Sequence, residues 1–426
     1  VNQDTIHSTR AAGPAAGASE PTGAQQDASQ EQWGERYAHT LMNTFGPPRR
    51  VLVRGQGADV WDADGNHYTD LLAGLAVHAL GHANPVVTQA ITEQLGTLGH
   101  ISNLFASPTQ IALGEKLLDL ATRLAPAHTP ARVFFANSGT EANEAAFKLS
   151  RLTGRGKIVA MQGSFHGRTM GALAITSNEH YRAPFEPLPG EIVWVPYGDA
   201  GALANAVDET VAAVVMEPIQ GENGVVEPPD SYLPAAREIT GRYGALLWID
   251  EVQTGLGRCG EWFAHQRLGI VPDVITVAKG LGNGYPIGAC IALNEAAELF
   301  GPGQHGTTFG GNPVACAAGL AVLGYMADHD LLSHVRQLGE HLARSVMALG
   351  DPRISGVRGQ GLLRGIVLRD PVGVAVADLA LEAGWIINAP RPGVLRIAPP
   401  LIITAEQLDA FVAVLPSLLD RARAQS

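Results

Sequence analysis

The chain has 426 residues, 46% of them hydrophobic and 16% charged, with a formal net charge of -12. That length passes the roughly 250 to 300 residues at which a single hydrophobic core stops growing, so more than one domain is expected, and the composition excludes a chain dominated by disorder. An acidic balance without Lys and Arg clusters speaks against nucleic acid as a partner, and apolar runs broken by Gly, Pro or charge offer no membrane span of ~20 residues.

Residues 1 to 30 are rich in Ala, Gly, Ser, Gln and Thr without periodicity and predict a disordered tail. With Arg10 as its only base, and with Gly13, Pro14 and Gly17 among its alanines, the tail does not read as a secretory signal. From Val51 to Leu72, alternating apolar and polar residues around Asp64-Gly65 predict short antiparallel strands joined by a tight turn. Residues 31–85 are expected to join a smaller domain. His78 and His82 stand four apart, but Gly81 and the turn-like Gly-His-Ala-Asn-Pro context argue against a helical metal pair, and no metal is expected. Helical spacing comes next, over Pro85 to Leu95 and Ile111 to Leu120.

Residues 86–329 then repeat a short apolar strand, a polar or Gly-bearing turn and a helix. The strands are expected at Arg132 to Ala136, Lys157 to Met161, Val211 to Met216, Ala245 to Ile249, Asp273 to Val277 and Ile287 to Leu293. Such alternation predicts an α/β fold with a mostly parallel sheet covered on both faces, and functional residues just beyond the carboxyl ends of the strands. After a helix near Val314 to Met326, residues 330–426 read as a smaller α/β domain, with strands around Gly356 to Val367 and Val394 to Ile397 and a final helix. Cys259, Cys290 and Cys316 form neither a CxxC pair nor an even set, so they read as thiols of a reducing cytoplasm.

Two strand ends present chemistry. ALLWI runs into Asp250, and DVITVA runs into Lys279, whose amine is poorly solvated there and so acquires a lower pKa and nucleophilic character. Either residue alone is more commonly a strand cap or a surface pair. Upstream, RVFFA runs through Asn137 into Ser138, Gly139 and Thr140 and then a helical pattern, which makes a seat for a phosphate dianion or, more plainly, an ordinary helix N-cap.

NSGTEANEAA, FHGRT, EPIQGE, WIDEVQTGLGR, AKGLGNGYPIGA, TTFGGNP and LRIAPPL stand in the order and approximate spacing of the class III (subgroup II) aminotransferases. The resemblance covers roughly residues 35 to 420. It implies the PLP-dependent transferase fold type I, with a large cofactor-binding domain and a smaller α/β domain built from the chain ends, and pyridoxal 5′-phosphate as cofactor. It further implies that Lys279 holds the cofactor as a Schiff base and shuttles the proton, and that Asp250 holds the pyridine nitrogen. Gln253 would bond the ring's phenolic oxygen, Phe165 would stack on the ring, and His166 would stand beside the cofactor in a supporting role. Ser138, Gly139 and Thr140 would bind the phosphate, with Thr308 reaching the phosphate of a neighbouring subunit in a homodimer.

Arg168 and Arg396 are the implied carboxylate binders, Glu222 resembles the family's gate over Arg396, and Ser102 and Asn103 in GHISNLF are expected at the substrate. MNTFGPP, LAGLAVHALGH, GHISNLF and FHGRT are most similar to the members that act on N2-acetylornithine. Transfer of its δ-amino group to 2-oxoglutarate is the implied reaction, with ornithine, succinylornithine, N-succinyl-diaminopimelate and 4-aminobutyrate as alternative donors. An aminomutase or racemase would not need two carboxylate arginines with a gate, and a non-catalytic protein on the same scaffold would be favoured had Lys279 or Asp250 been replaced, whereas both are present.

Overall fold

The computed structural model describes residues 28–425; the expected tail falls, up to residue 27, outside the described residues. Contacts divide the chain into one unit running to Arg54 and including Trp61–Asn66, and a second holding Gly55–Val60 and everything from His67 onward. In the first unit, the helix Gln30–Thr40 has no buried residue, with Trp33 and Tyr37 as its large apolar side chains. It starts at a capping box in which Ser29 and Gln32 satisfy each other's backbone amides. The turn expected at Asp64-Gly65 is closed by Asp62, whose Oδ1 accepts the amides of Asp64 (3.0 Å) and Asn66 (2.8 Å).

The second unit contains a seven-stranded sheet of β1 (Ala131–Ala136), β2 (Lys157–Met161), β3 (Glu191–Val195), β4 (Val211–Met216), β5 (Leu246–Asp250), β6 (Val274–Val277) and β7 (Gly288–Leu293). Their order is β1-β7-β6-β5-β4-β2-β3. β7 runs antiparallel to both neighbours, with Ala289 opposite Val277 on one side and Phe135 on the other. The β2-β3, β2-β4, β4-β5 and β5-β6 pairs are parallel, as expected. All six residues of β4, VAAVVM, are buried. Alternate side chains feed opposite faces: Ala213 and Val215 pack with Ala145 and Ala146, while Val214 and Met216 pack with Leu233 and Ala236.

Continuous apolar strands are therefore the consequence of helices on both sides, each fully buried Val or Leu contributing about 2 kcal/mol. Trp248 in β5 is 1% exposed, and its indole N–H is satisfied by Thr276 Oγ1 at 3.2 Å. β3 is missing from the sequence expectations. It is an edge strand, EIVWV, whose apolar run is as long as that of KIVAM beside it but which has one buried residue.

The segment expected as a smaller domain forms an antiparallel sheet of β8 (Ile354–Gln360), β9 (Leu363–Leu368), β10 (Asn388–Arg391) and β11 (Val394–Ile397), in the order β8-β9-β11-β10. The helices Leu331–Ala348, Gly373–Glu382 and Ala405–Ala424 accompany it. β11 carries Arg396, one of the two arginines expected to bind a carboxylate.

Candidate active site

β6 ends at Val277, and two residues later Lys279 adopts φ +42, a left-handed conformation that a side chain with Cβ disfavours by roughly 1–2 kcal/mol. Residues just beyond Lys279 hold this turn in place. Leu281 is fully buried, and Asn283 clamps the neighbouring segment by accepting the Leu80 amide (2.7 Å) and donating to the Gly81 carbonyl (2.9 Å). The preceding turn of that segment is itself left-handed at Ala73, Gly74, Leu75 and Ala76, and Asp70 Oδ1 steadies its entry by accepting the amides of Leu72 and Ala73. Lys279 opens into a cavity of about 380 Å³ that Ser138, Phe165, Glu222, Asp250 and Gln253 also line. Burial lowers the Lys279 pKa and the Arg396 charge lowers it further, while Glu222, Asp250 and Glu217 offset part of the effect. The net shift favours the free amine, the form that attacks a carbonyl.

Asp250 closes β5 and is 3% exposed. Its Oδ1 accepts the Val252 amide at 2.9 Å; its Oδ2 takes Asn143 Nδ2 at 2.8 Å and meets His166 Nδ1 at 2.7 Å. Burial alone would depress the His166 pKa, but the hydrogen bond and charge of Asp250, with the Glu217 charge, raise it overall. Glu217 accepts the Phe165 amide at 3.1 Å; burial, reinforced by the like charge of Asp250, pushes its pKa up to about 7, against the pull of His166. Glu217 and Asn143 are missing from the sequence expectations. Glu217 sits one position past the carboxyl end of β4, and Asn143 is the polar residue among the alanines of the inner face of the helix Gly139–Arg151, so both carry a sequence signal.

At that helix's start, Ser138 is the N-cap: its Oγ accepts the Glu141 amide (3.3 Å) and donates to Glu141 Oε2 (3.0 Å). The Thr140 hydroxyl is likewise taken up, by the amides of Arg168 and Thr169 and by Thr169 Oγ1 at 2.8 Å. The two hydroxyls expected at a phosphate are thus engaged within the protein, and the groups of the first turn that a helix leaves open are the Gly139 and Thr140 amides. Gly139 is required there, because a Cβ would come within 2.7 Å of Val252 Cγ1.

Arg396 in β11 is 1% exposed. Its Nη1 donates to Glu222 Oε1 at 2.6 Å and Gln253 Oε1 at 3.3 Å, and its Nε to Asn388 Oδ1 at 3.1 Å. Burial would raise the Glu222 pKa, but the Arg396 charge and hydrogen bond bring it below the usual carboxylate range. Arg168 is exposed, with its guanidinium 3.5 Å from the centre of the Tyr181 ring and 5.6 Å from that of Phe165.

Four expected residues do not line this cavity: Arg396, which bonds the lining residues Glu222 and Gln253, then Ser102 and Asn103, and Thr308, whose expected place is the phosphate of a neighbouring subunit. Asn103 donates to the Thr307 and Gly310 carbonyls (3.2 and 3.1 Å) and so braces the turn that carries Thr308, while Ser102 caps the Leu104 amide. Ser102, Asn103 and Thr308 are all exposed and lie outside the cavity lining.

The Aminotransferase class-III family model matches residues 42–419. The chain belongs to the class-III aminotransferases. The acetylornithine aminotransferase of Mycolicibacterium smegmatis is 56% identical to it over 391 residues, covering 92% of this chain and 99% of that protein. The crystal structure of ornithine aminotransferase from Toxoplasma gondii ME49 superposes with a TM-score of 0.86 at 30% identity, covering 93% of this chain and 96% of that one. Acetylornithine aminotransferase from Elizabethkingia anophelis gives 0.79 at 30% identity, with coverage of 92% and 99%.

Pyridoxal 5′-phosphate is the cofactor of this aminotransferase, and the residues present fit it. The cavity combines an amine, a carboxylate engaged in three hydrogen bonds, a half-buried aromatic ring and a helix N-terminus with two free amides. Asn143 Oδ1 in its lining, and Nη2 of Arg396 behind Glu222 and Gln253, are buried without a hydrogen-bond partner among the described residues, as polar groups awaiting a ligand would be.

Proposed function

We propose that this aminotransferase moves the δ-amino group of N2-acetylornithine to 2-oxoglutarate, giving N-acetylglutamate 5-semialdehyde and glutamate, a step of arginine biosynthesis. The observation that carries the two-substrate cycle is the Glu222–Arg396 pair: a buried guanidinium bonded at 2.6 Å to a carboxylate, with Nη2 still unpartnered. Such an arginine accepts the carboxylate of glutamate or 2-oxoglutarate when Glu222 swings aside, and is neutralised by Glu222 when an amine donor brings no matching carboxylate. The choice of donor rests on the relatives, of which that of Streptomyces coelicolor, at 54% identity over 92% of this chain, is a further acetylornithine aminotransferase.

When bound, pyridoxal 5′-phosphate supplies an electron sink for the pair left at the substrate carbon on deprotonation. The Gly139 and Thr140 amides would hold its phosphate, Phe165 would lie against its ring, and Gln253 would orient it from the side of Arg396. Asp250, oriented by Val252, Asn143 and His166, would hold a proton on the ring nitrogen. Lys279 would attach it and then, as the free amine, take the proton from the substrate carbon and return it to the adjacent position. Arg168 would fix the donor's own carboxylate.

A homodimer belongs to the same proposal, with Thr308 completing the partner's phosphate site. Support comes from Leu104, Phe105 and Phe309, which are 87%, 70% and 60% exposed around the turn that Asn103 braces. Among the described residues no helix is long and apolar enough to cross a membrane, and the three cysteines are free and buried, as suits the cytoplasm proposed here.

The test is kcat/KM for N2-acetylornithine, ornithine, 4-aminobutyrate and N-succinyl-diaminopimelate with 2-oxoglutarate as acceptor. N2-acetylornithine is expected to lead. A clear lead for free ornithine would overturn the donor assignment and leave the cofactor chemistry standing.

A further inference from the structure

A second cavity, of about 550 Å³, adjoins the first, and Phe165 and Glu222 line both. The charged residues of its lining are Glu222 and Arg391. Glu222 is occupied by Arg396. Arg391, on β10, donates from Nε (3.2 Å) and Nη2 (2.9 Å) to Asn223 Oδ1. That acceptor is neutral, so it positions the guanidinium without cancelling its charge, and a guanidinium has five N–H donors of which these bonds use two.

Among the other polar groups of the chamber, the Tyr197 hydroxyl donates to the Glu217 and Pro218 carbonyls and Ser177 Oγ accepts the Gly163 amide, and none of the remainder carries a positive charge. Asn223 itself is fixed by donating to Gln220 Oε1 at 2.9 Å. The chamber therefore offers one prepositioned cation with open donors.

Its place relative to a donor is set by Arg168 and Tyr181. The Arg168 guanidinium lies against Tyr181, Arg168 lines the first cavity, and Tyr181 lines the second. In an N2-acylated diamino acid the carboxylate and the acylated nitrogen share one carbon. A carboxylate seated on Arg168 therefore delivers the acyl arm to the boundary that Tyr181 and Phe165 form. An acetyl group ends there, whereas an acyl arm that ends in its own carboxylate runs on into the chamber.

We propose that Arg391, positioned by Asn223, is an anion subsite that selects amine donors whose N2-acyl arm terminates in a carboxylate. The inference rests on the reading that the donor is an N2-acylated diamino acid. It is tested on the holoenzyme by the ratio of kcat/KM for N2-succinylornithine to that for N2-acetylornithine, with melting temperature as the check on folding.

Arg391→Gln is expected to lower that ratio about tenfold through the succinyl donor alone, leaving the acetyl donor within about twofold, and Arg391→Lys to restore most of it. Asn223→Asp, which sets a carboxylate against Arg391 and keeps the arginine, is expected to lower the ratio comparably, and it decides the matter if Arg391→Gln does not fold. A ratio unchanged in the folded variants, or a wild-type enzyme that takes the acetyl donor and rejects the succinyl one, overturns the subsite. A wild-type enzyme that takes neither acylated donor but turns over free ornithine overturns the donor reading first, and this inference with it.

Discussion

Asp250 and Glu222 border the same cavity, and each is bonded to a basic partner within 2.7 Å, yet they are built for opposite fates. The Asp250 and His166 side chains are 3% and 0% exposed, and Asp250 has two further donors in Asn143 and Val252. Glu222 is 37% exposed although Arg396 is 1% exposed, and Arg396 keeps one nitrogen without a partner. Removing one partner from a fully buried pair costs about 3–5 kcal/mol. Under the cycle proposed above, a pair that opens must keep one member wet, and a pair that holds the cofactor's proton gains from being dry.

The largest effect is expected where both pairs act, at Lys279. Lys279→Ala should lower kcat by roughly four orders of magnitude or more and abolish the visible absorbance of the bound cofactor, with the melting temperature retained. Normal turnover by that variant would remove the lysine from the mechanism and the comparison with it. Asp250→Asn probes the dry pair: kcat should fall on the order of 10³-fold, and stability by about 3 kcal/mol, because His166 and Asn143 lose a buried acceptor. A variant as stable as wild type in urea would mean that this pair is no more fixed than the gate.

Glu217 sharpens the contrast through pH. Its pKa rises from the ordinary 4.5 to about 7 on burial, so between those values the folded protein binds the proton more tightly than the unfolded chain does. The associated stability is fully present below pH 4.5 and is lost as the pH rises toward 7, on the order of 3 kcal/mol in all. Glu217→Gln should flatten that slope in urea titrations run across the window, and an unaltered slope would place the proton elsewhere. The smallest change is expected at the wet pair. Glu222→Gln should lower kcat/KM for N2-acetylornithine about tenfold while leaving the half-reaction with glutamate nearly unchanged, since Arg396 then lacks a partner only when the amine donor is bound. Equal losses for both substrates would mean that Glu222 is not a gate.

Legibility follows the same division between dry and wet. Lys157–Met161 and Val211–Met216 are readable to the residue, because strands buried on both faces must be continuous apolar runs. The edge strand Glu191–Val195 and the helix Gln30–Thr40 are less legible, the first having one buried residue and the second, with Trp33 and Tyr37 as its large apolar residues, none. The antiparallel course of Gly288–Leu293 leaves no local trace either, because burial on both faces looks alike in either direction. At the site, Lys279, Asp250 and the Ser138–Thr140 turn are marked by strand ends; Glu217 stands at a strand end too, but within EPIQGE the last glutamate, Glu222, draws the attention.

By itself the sequence determined the family, the strand-end positions of the amine and the carboxylate, and the residue types able to hold a phosphate and two carboxylates, because these are local chemistry in linear order. Only the tertiary structure decided that Ser138 and Thr140 spend their hydroxyls on protein partners, that Asn143 and His166 converge on Asp250, and that Arg391 opens into a chamber beside Glu222. Each of those depends on groups far apart in the chain meeting in space, and on how much water is left between them.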